Sequence, residues 1–91
     1  MSEIENYYNE EKWLKFSSLF KSNEKTEWKT LNRIFENDDR LTNVIFEQFG
    51  VASLNWIEQK VPALNDLTPK ECLKTEKLKQ RLKESLMRMD W

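Results

Sequence analysis

The side chains best suited to act on another molecule lie near the C-terminus of this chain. Residues 69–91 hold seven Lys or Arg against four Asp or Glu, a net +3, whereas residues 1–68 hold eight against twelve, a net −4. Arg pairs with carboxylates through two bonds, and Trp fills pockets on partner surfaces. The sequence therefore predicts a protein-binding surface on the exposed side of the last helix, formed by Arg81, Lys83, Arg88 and Trp91.

Both components of this surface also have a purely structural interpretation. Basic side chains such as Lys77, Lys79 and Lys83 are common on solvated helix surfaces. Trp91 either folds back on the core or serves as the anchor for a partner, and both alternatives stay open.

Groups that catalyse reactions or bind metals are scarce in the composition. The chain has no His, so the usual general base and the commonest metal ligand are absent. Cys72 has no Cys or His partner and is expected to be a half-buried structural residue. The acid pairs Glu10-Glu11 and Asp38-Asp39 stand at helix ends, where capping explains them. We expect no catalytic, cofactor or metal site, and hence no enzyme.

The composition predicts the type of fold that holds these residues. The chain has 91 residues, one Gly and two Pro, with four Trp and five Phe to fill a core. Glu, Lys, Leu and Arg dominate, which favours helix over sheet. We predict a single all-α domain over residues 1–91, a small bundle of about four to six helices.

The spacing of apolar residues places the helices along the chain. Residues 1–8 lack a period and are expected to fray, although Tyr7 and Tyr8 could pack on the first helix. The predicted helices are Asn9 (as N-cap) to about Lys21, a second from Ser22 or Asn23, a third from Leu41 to Gly50, and a short one over residues 53–60. Two more follow from Pro69 onward, separated by a break or bend near Thr75.

The clearest local signal is Thr68-Pro69-Lys70-Glu71, which has the form of a capping box with Pro at the first helical position. The leucines that follow are predicted to attach the last two helices to a core formed by Trp13, Trp28, Phe35 and Trp56.

Sequence features also bear on nucleic-acid binding and location. Residues 1–50 show no clear helix-turn-helix, because the turn near residues 37–39 is acidic and the following helix has one Arg. DNA recognition is therefore not expected there. The single Cys, the absence of an apolar signal after Met1 and the lack of a membrane-length apolar run predict a soluble cytoplasmic protein.

Residues 52–91 resemble the toxin-binding region of the Xre/MbcA/ParS antitoxin family. The shared pattern is a small residue and a Trp on one helix, Pro and Leu before a turn, Thr-Pro opening a short helix, and a final helix with spaced aliphatics and an Arg. This chain supplies Ala52, Trp56, Ile57, Pro62, Leu64, Thr68, Pro69, Leu73, Thr75, Leu82, Leu86, Arg88 and Met89 in that order. It departs from the pattern by having Asn65-Asp66 in place of a glycine turn, "EKL" where a glycine follows Thr75, and no terminal glycine after Trp91.

The resemblance implies a homodimeric, all-helical protein that docks on and inhibits a RES-type, NAD-consuming toxin. From the residues themselves, no cofactor and no membrane are expected. Two other functions stay open on the sequence: a stand-alone phage or mobile-element inhibitor of a host defence complex, and a DNA-binding regulator.

Overall fold

The computed structural model describes residues 4–89, and within this range the chain is all-α with no strand. The prediction of four to six helices is confirmed. The α-helices are α1 (Glu10–Ser17), α2 (Thr26–Ile34), α3 (Asp39–Phe49), α4 (Ser53–Trp56) and α5 (Glu76–Arg88). Short 3-10 segments cover Ile4–Tyr7, Gly50–Ala52, Pro62–Leu64 and Glu71–Leu73. None of the helices in residues 4–89 has both the length and the apolar character needed to cross a membrane.

Three helices begin at side-chain caps. Each cap accepts a backbone N–H from the first turn of its helix at 3.1–3.2 Å. The acceptors are the amide oxygen of Asn9 for α1, a carboxylate oxygen of Asp38 for α3 and the hydroxyl of Thr75 for α5. Each cap satisfies an N–H that has no partner inside its helix. The predicted start at Asn9 and the predicted break near Thr75 are therefore confirmed.

The first two helices are shorter than predicted. α1 ends at Ser17 rather than near Lys21, and the Ser18 hydroxyl bonds back to the Lys15 carbonyl, as Ser does where it competes with helical bonding. α2 begins at Thr26 rather than Ser22 or Asn23. The Asn23 side chain accepts the Lys25 N–H and holds the intervening residues in a turn.

α4 is a single turn, shorter than the predicted residues 53–60, because its next bonds go elsewhere. The Ile57 carbonyl accepts the Lys70 N–H, and the Val61 N–H donates to Leu67. The intervening turn uses left-handed Asn65 and Asp66, at φ 56° and 63°. These residues adopt the conformation that a glycine turn would supply.

The core surrounds α3 and α5, which are the most buried helices of the described chain. All residues from Leu41 to Phe46 and from Arg81 to Leu86 are buried. Trp13, Trp28 and Phe35 pack in this core as predicted. Trp56 packs against the edge of this core rather than inside it, because it is half-buried and stacks on Phe49 with ring centroids 4.2 Å apart.

Candidate protein-binding surface on the last helix

The most specific contact on α5 is a buried ion pair with the start of the chain. Arg81 donates from Nε to Glu5 Oε1 and from a terminal nitrogen to Glu5 Oε2, both at 2.8 Å. The two side chains are 9% and 1% exposed, and Lys77 Nζ lies 3.9 Å from Glu5 Oε2. The bidentate geometry fixes both the position and the orientation of the 3-10 segment Ile4–Tyr7.

Lys83 faces a different neighbour. Its Nζ lies 5.8 Å from the ring centroid of Tyr8 and 5.5 Å from that of Trp13, within the range of cation–π attraction. The Tyr8 hydroxyl donates to Glu10, and burial together with this carboxylate raises the pKa of Tyr8 above its usual range. Lys83 is therefore held between two aromatic rings and is buried.

Arg88 lies at the open end of the same helix. Its Nε donates to Glu84 Oε2 at 2.7 Å, and its guanidinium carbon lies 5.4 Å from the Tyr7 ring centroid. The Arg88 side chain is 49% exposed. It can therefore contact another molecule without leaving its place.

Four of these residues form one line along α5, which we call the charged stripe: Lys77, Arg81, Glu84 and Arg88. Their spacings of four, three and four place them on one side of a helix. Residues 4–8, which we call the N-terminal segment, cover this stripe through Glu5 and Tyr7. α5 is the main neighbour of the Ile4–Tyr7 turn.

The predicted exposure of Arg81 and Lys83 is wrong, because both side chains are buried against residues 4–13. The two positions also cannot share a face, since residues two apart on a helix point to nearly opposite sides. Of the four predicted residues, Arg88 is exposed, and Trp91 lies outside the described residues.

Sequence reasoning missed the residues that cover the stripe. Residues 1–8 were expected to fray, yet Glu5 is buried and residues 4–7 form a 3-10 turn. Tyr8 does pack towards the first helix, since it is half-buried against the core and its hydroxyl donates to Glu10 of α1. The sequence feature that could have indicated this contact is the opposite net charge of residues 1–68 and residues 69–91. Net charge alone does not identify which acidic residue pairs with which basic residue.

The segment that leads into α5 is ordered by the predicted capping box. The Glu71 N–H donates to Thr68 Oγ1 at 3.0 Å, and the Thr68 N–H donates to Glu71 Oε1 at 2.9 Å. These bonds from Thr68 lower the pKa of Glu71 below its usual range. The helix they start is only the 3-10 turn Glu71–Leu73.

Cys72, within that turn, is fully buried rather than half-buried. Burial raises the pKa of its thiol to about 11. A protonated thiol without access to solvent behaves as a small apolar side chain. Among residues 4–89 there is no group of three or more His, Cys, Asp or Glu that could hold a metal ion.

Residues 41–46 of α3 are all buried. Arg40, its basic residue, donates to the Leu14 carbonyl and to Ser17 Oγ. The amide oxygen of Asn43 accepts the indole N–H of Trp28 at 2.9 Å, and the Thr42 hydroxyl donates to Asn32. These contacts attach α3 to α1 and α2, whereas Glu47 and Gln48 near its end are exposed.

Comparison of the chain with protein-family models, with curated proteins and with solved structures finds no match.

Proposed function

We propose that this chain is an antitoxin-like module that docks on a partner protein and inhibits it by covering its surface. The partner class that the resemblance favours is a RES-type, NAD-consuming toxin. The proposal needs no catalytic residue, cofactor or metal in this chain. A homodimer, as the resemblance implies, belongs to the same proposal.

The observation that supports it is the structural role of the residues that carry the resemblance. Leu64, Leu82 and Leu86 are fully buried, as is Pro69. Thr68 caps the short turn, and Asn65-Asp66 replaces the glycine turn by adopting left-handed backbone. The pattern therefore corresponds to one packing arrangement of residues 61–89, which holds α5 in place.

The expected contact residues change with the structure. Arg81 and Lys83 serve inside the chain, so Arg88 and Trp91 are the residues proposed to reach the partner directly. Arg88 lies at the exposed end of α5, three residues before Trp91 in the sequence.

The test starts with tagged full-length protein used to capture partners from the native host. We expect a RES-type enzyme, and we expect added chain to slow its consumption of NAD. Capture of a defence complex that does not consume NAD would support the phage-type inhibitor instead. Salt-sensitive retention of the chain on DNA, with no captured protein, would support a regulator.

Arg88→Ala and deletion of Asp90-Trp91 locate the contact. Each is expected to weaken binding to the captured enzyme by about tenfold, or about 1.4 kcal/mol. Lys12→Ala is the matched control, because Lys12 is an exposed basic residue on α1. Equal affinity of all variants would remove the C-terminal end of α5 from the contact.

A further inference from the structure

The N-terminal segment combines a carboxylate and two aromatic rings that face four cations of α5. Glu5 pairs with Arg81 and lies near Lys77, the Tyr7 ring faces Arg88, and the Tyr8 ring faces Lys83. The sequence pattern that these cations contact is an acidic residue, Glu5, followed by aromatic residues two and three positions later. The cationic groups are spaced so that one short segment, residues 4–8, can form ion pairs or cation–π contacts with all of them.

The attachment of this segment is specific without being strongly stabilising. A buried ion pair fixes geometry, but the cost of removing both charges from water offsets much of its attraction. The segment is a single 3-10 turn at one end of the described chain, and Tyr7 is 57% exposed. Elements of this kind open locally at less cost than the whole fold.

We propose that the charged stripe is a binding site for an acidic, aromatic peptide segment of a partner protein, and that the chain's own N-terminal segment occupies it as an exchangeable substitute. The carboxylate of the incoming segment takes the place of Glu5 on Arg81. Its first ring takes the place of Tyr7 on Arg88, which is the exposed end where exchange begins. After the exchange, Arg81 is paired with the incoming carboxylate and Glu5 is solvated by water.

The identity of the partner as the inhibited enzyme rests on the proposed function, whereas the exchange itself is a property of this chain. If exchange occurs, partner binding is coupled to release of residues 4–8. The partner's affinity is then lowered by the competing segment, as for any site whose open state is a minor population.

The probe is a fluorescein-labelled peptide with the sequence of residues 2–9, SEIENYYN, titrated with full-length protein and followed by anisotropy. Glu5→Gln in the protein removes the charge that holds the native segment while preserving its shape. We expect this variant to bind the probe about tenfold more tightly than wild type. Glu11→Gln, which removes an exposed acid of α1, is the matched control and should bind like wild type.

Tyr7→Ala provides a second variant whose folding is not at risk, because the ring is largely exposed. It should also bind the probe more tightly than wild type, and a probe carrying Gln at the Glu5 position should bind every variant poorly. The exchange proposal is overturned if neither variant binds the probe more tightly than wild type does. It is also overturned if the probe with Gln at the Glu5 position binds as tightly as the unmodified probe.

The two proposals fail separately. Loss of peptide exchange with retained inhibition of NAD consumption would reject only the exchange. Peptide exchange without any captured NAD-consuming enzyme would reject only the proposed function.

Discussion

Two sides of α5 are buried in chemically different ways. One side carries Leu82 and Leu86, fully buried among the apolar residues of α1, α2 and α3. The other carries the charged stripe, buried by a single 3-10 turn from the start of the chain. The apolar side is stabilised by the area removed from water, which is non-directional. The charged side selects one neighbour in one orientation, at a desolvation cost that offsets much of its attraction.

Burial alone therefore does not distinguish a structural core from an exchangeable contact. Arg81 is 8% exposed and Leu82 is 0% exposed, yet we expect very different consequences when each loses its neighbours. A leucine that loses its neighbours leaves a cavity or exposed apolar surface. An arginine that loses its carboxylate partner can form hydrogen bonds with water instead.

The largest effect is expected on the apolar side. Leu82→Ala should lower the free energy of unfolding by about 2–5 kcal/mol, because it removes buried methyl groups and leaves a cavity. Urea unfolding followed by dichroism measures the change. Leu19→Ala, at a residue that is 74% exposed, is the control and should change stability by no more than about 0.5 kcal/mol. Similar losses for both variants would contradict the assigned core.

Cys72 reports whether the apolar side opens when the charged side does. With its pKa raised to about 11, its thiolate near pH 8 should be about a hundredfold scarcer than for an ordinary cysteine, and burial slows reaction further. A thiol-reactive disulfide should therefore label native protein slowly and urea-unfolded protein quickly. The Glu5→Gln variant should stay slow, since only the charged side is released. Fast labelling of native wild type would show that residues 71–73 are not closed.

The same thiol makes stability depend on pH. The unfolded chain loses the Cys72 proton at a lower pH than the folded chain does. Its contribution to stability is therefore fully present below about pH 9 and is lost as the pH rises through about 11.

The charged side should show a smaller loss. Arg81→Met is expected to lower the free energy of unfolding by about 1–2 kcal/mol, below the 3–5 kcal/mol for breaking a buried pair in a fixed interior. The reason is that detachment of the N-terminal segment returns Glu5 to water. Adding Glu5→Met should recover part of the loss, and the double-mutant cycle measures the coupling. The full loss of 3–5 kcal/mol would mean that the segment cannot detach.

The smallest effect concerns the turn that places α5. Thr68→Ala should cost about 1 kcal/mol, the usual value for a helix cap, and should leave the charged side unchanged. Thr26→Ala is the matched control, because Thr26 is exposed and α2 has no side-chain cap. An unchanged melting temperature for Thr68→Ala would mean that other groups satisfy the Glu71 amide.

Prediction from the sequence was most accurate where a local interaction decides the structure. The Thr68–Glu71 capping box and the cap at Asn9 involve residues three apart, so their geometry depends on neighbouring backbone alone. Helix ends were less accurate where side chains of Asn23 or Ser18 compete with helical bonds. The candidate site was least accurate, because Glu5 and Arg81 are separated by 76 positions.

The sequence by itself determined an all-α chain, the caps at Asn9 and Thr68, the turn at Asn65-Asp66 and the apolar line of α5, because propensity, capping and periodicity act over a few residues. Only the tertiary structure decided that Arg81 and Lys83 face inward, that Trp56 stacks on Phe49 at the edge of the core, and that residues 4–8 cover the charged stripe. Those outcomes depend on which distant groups meet in three dimensions. Many acids in this chain could pair with many bases, and only the packing of the two ends selects Glu5 with Arg81.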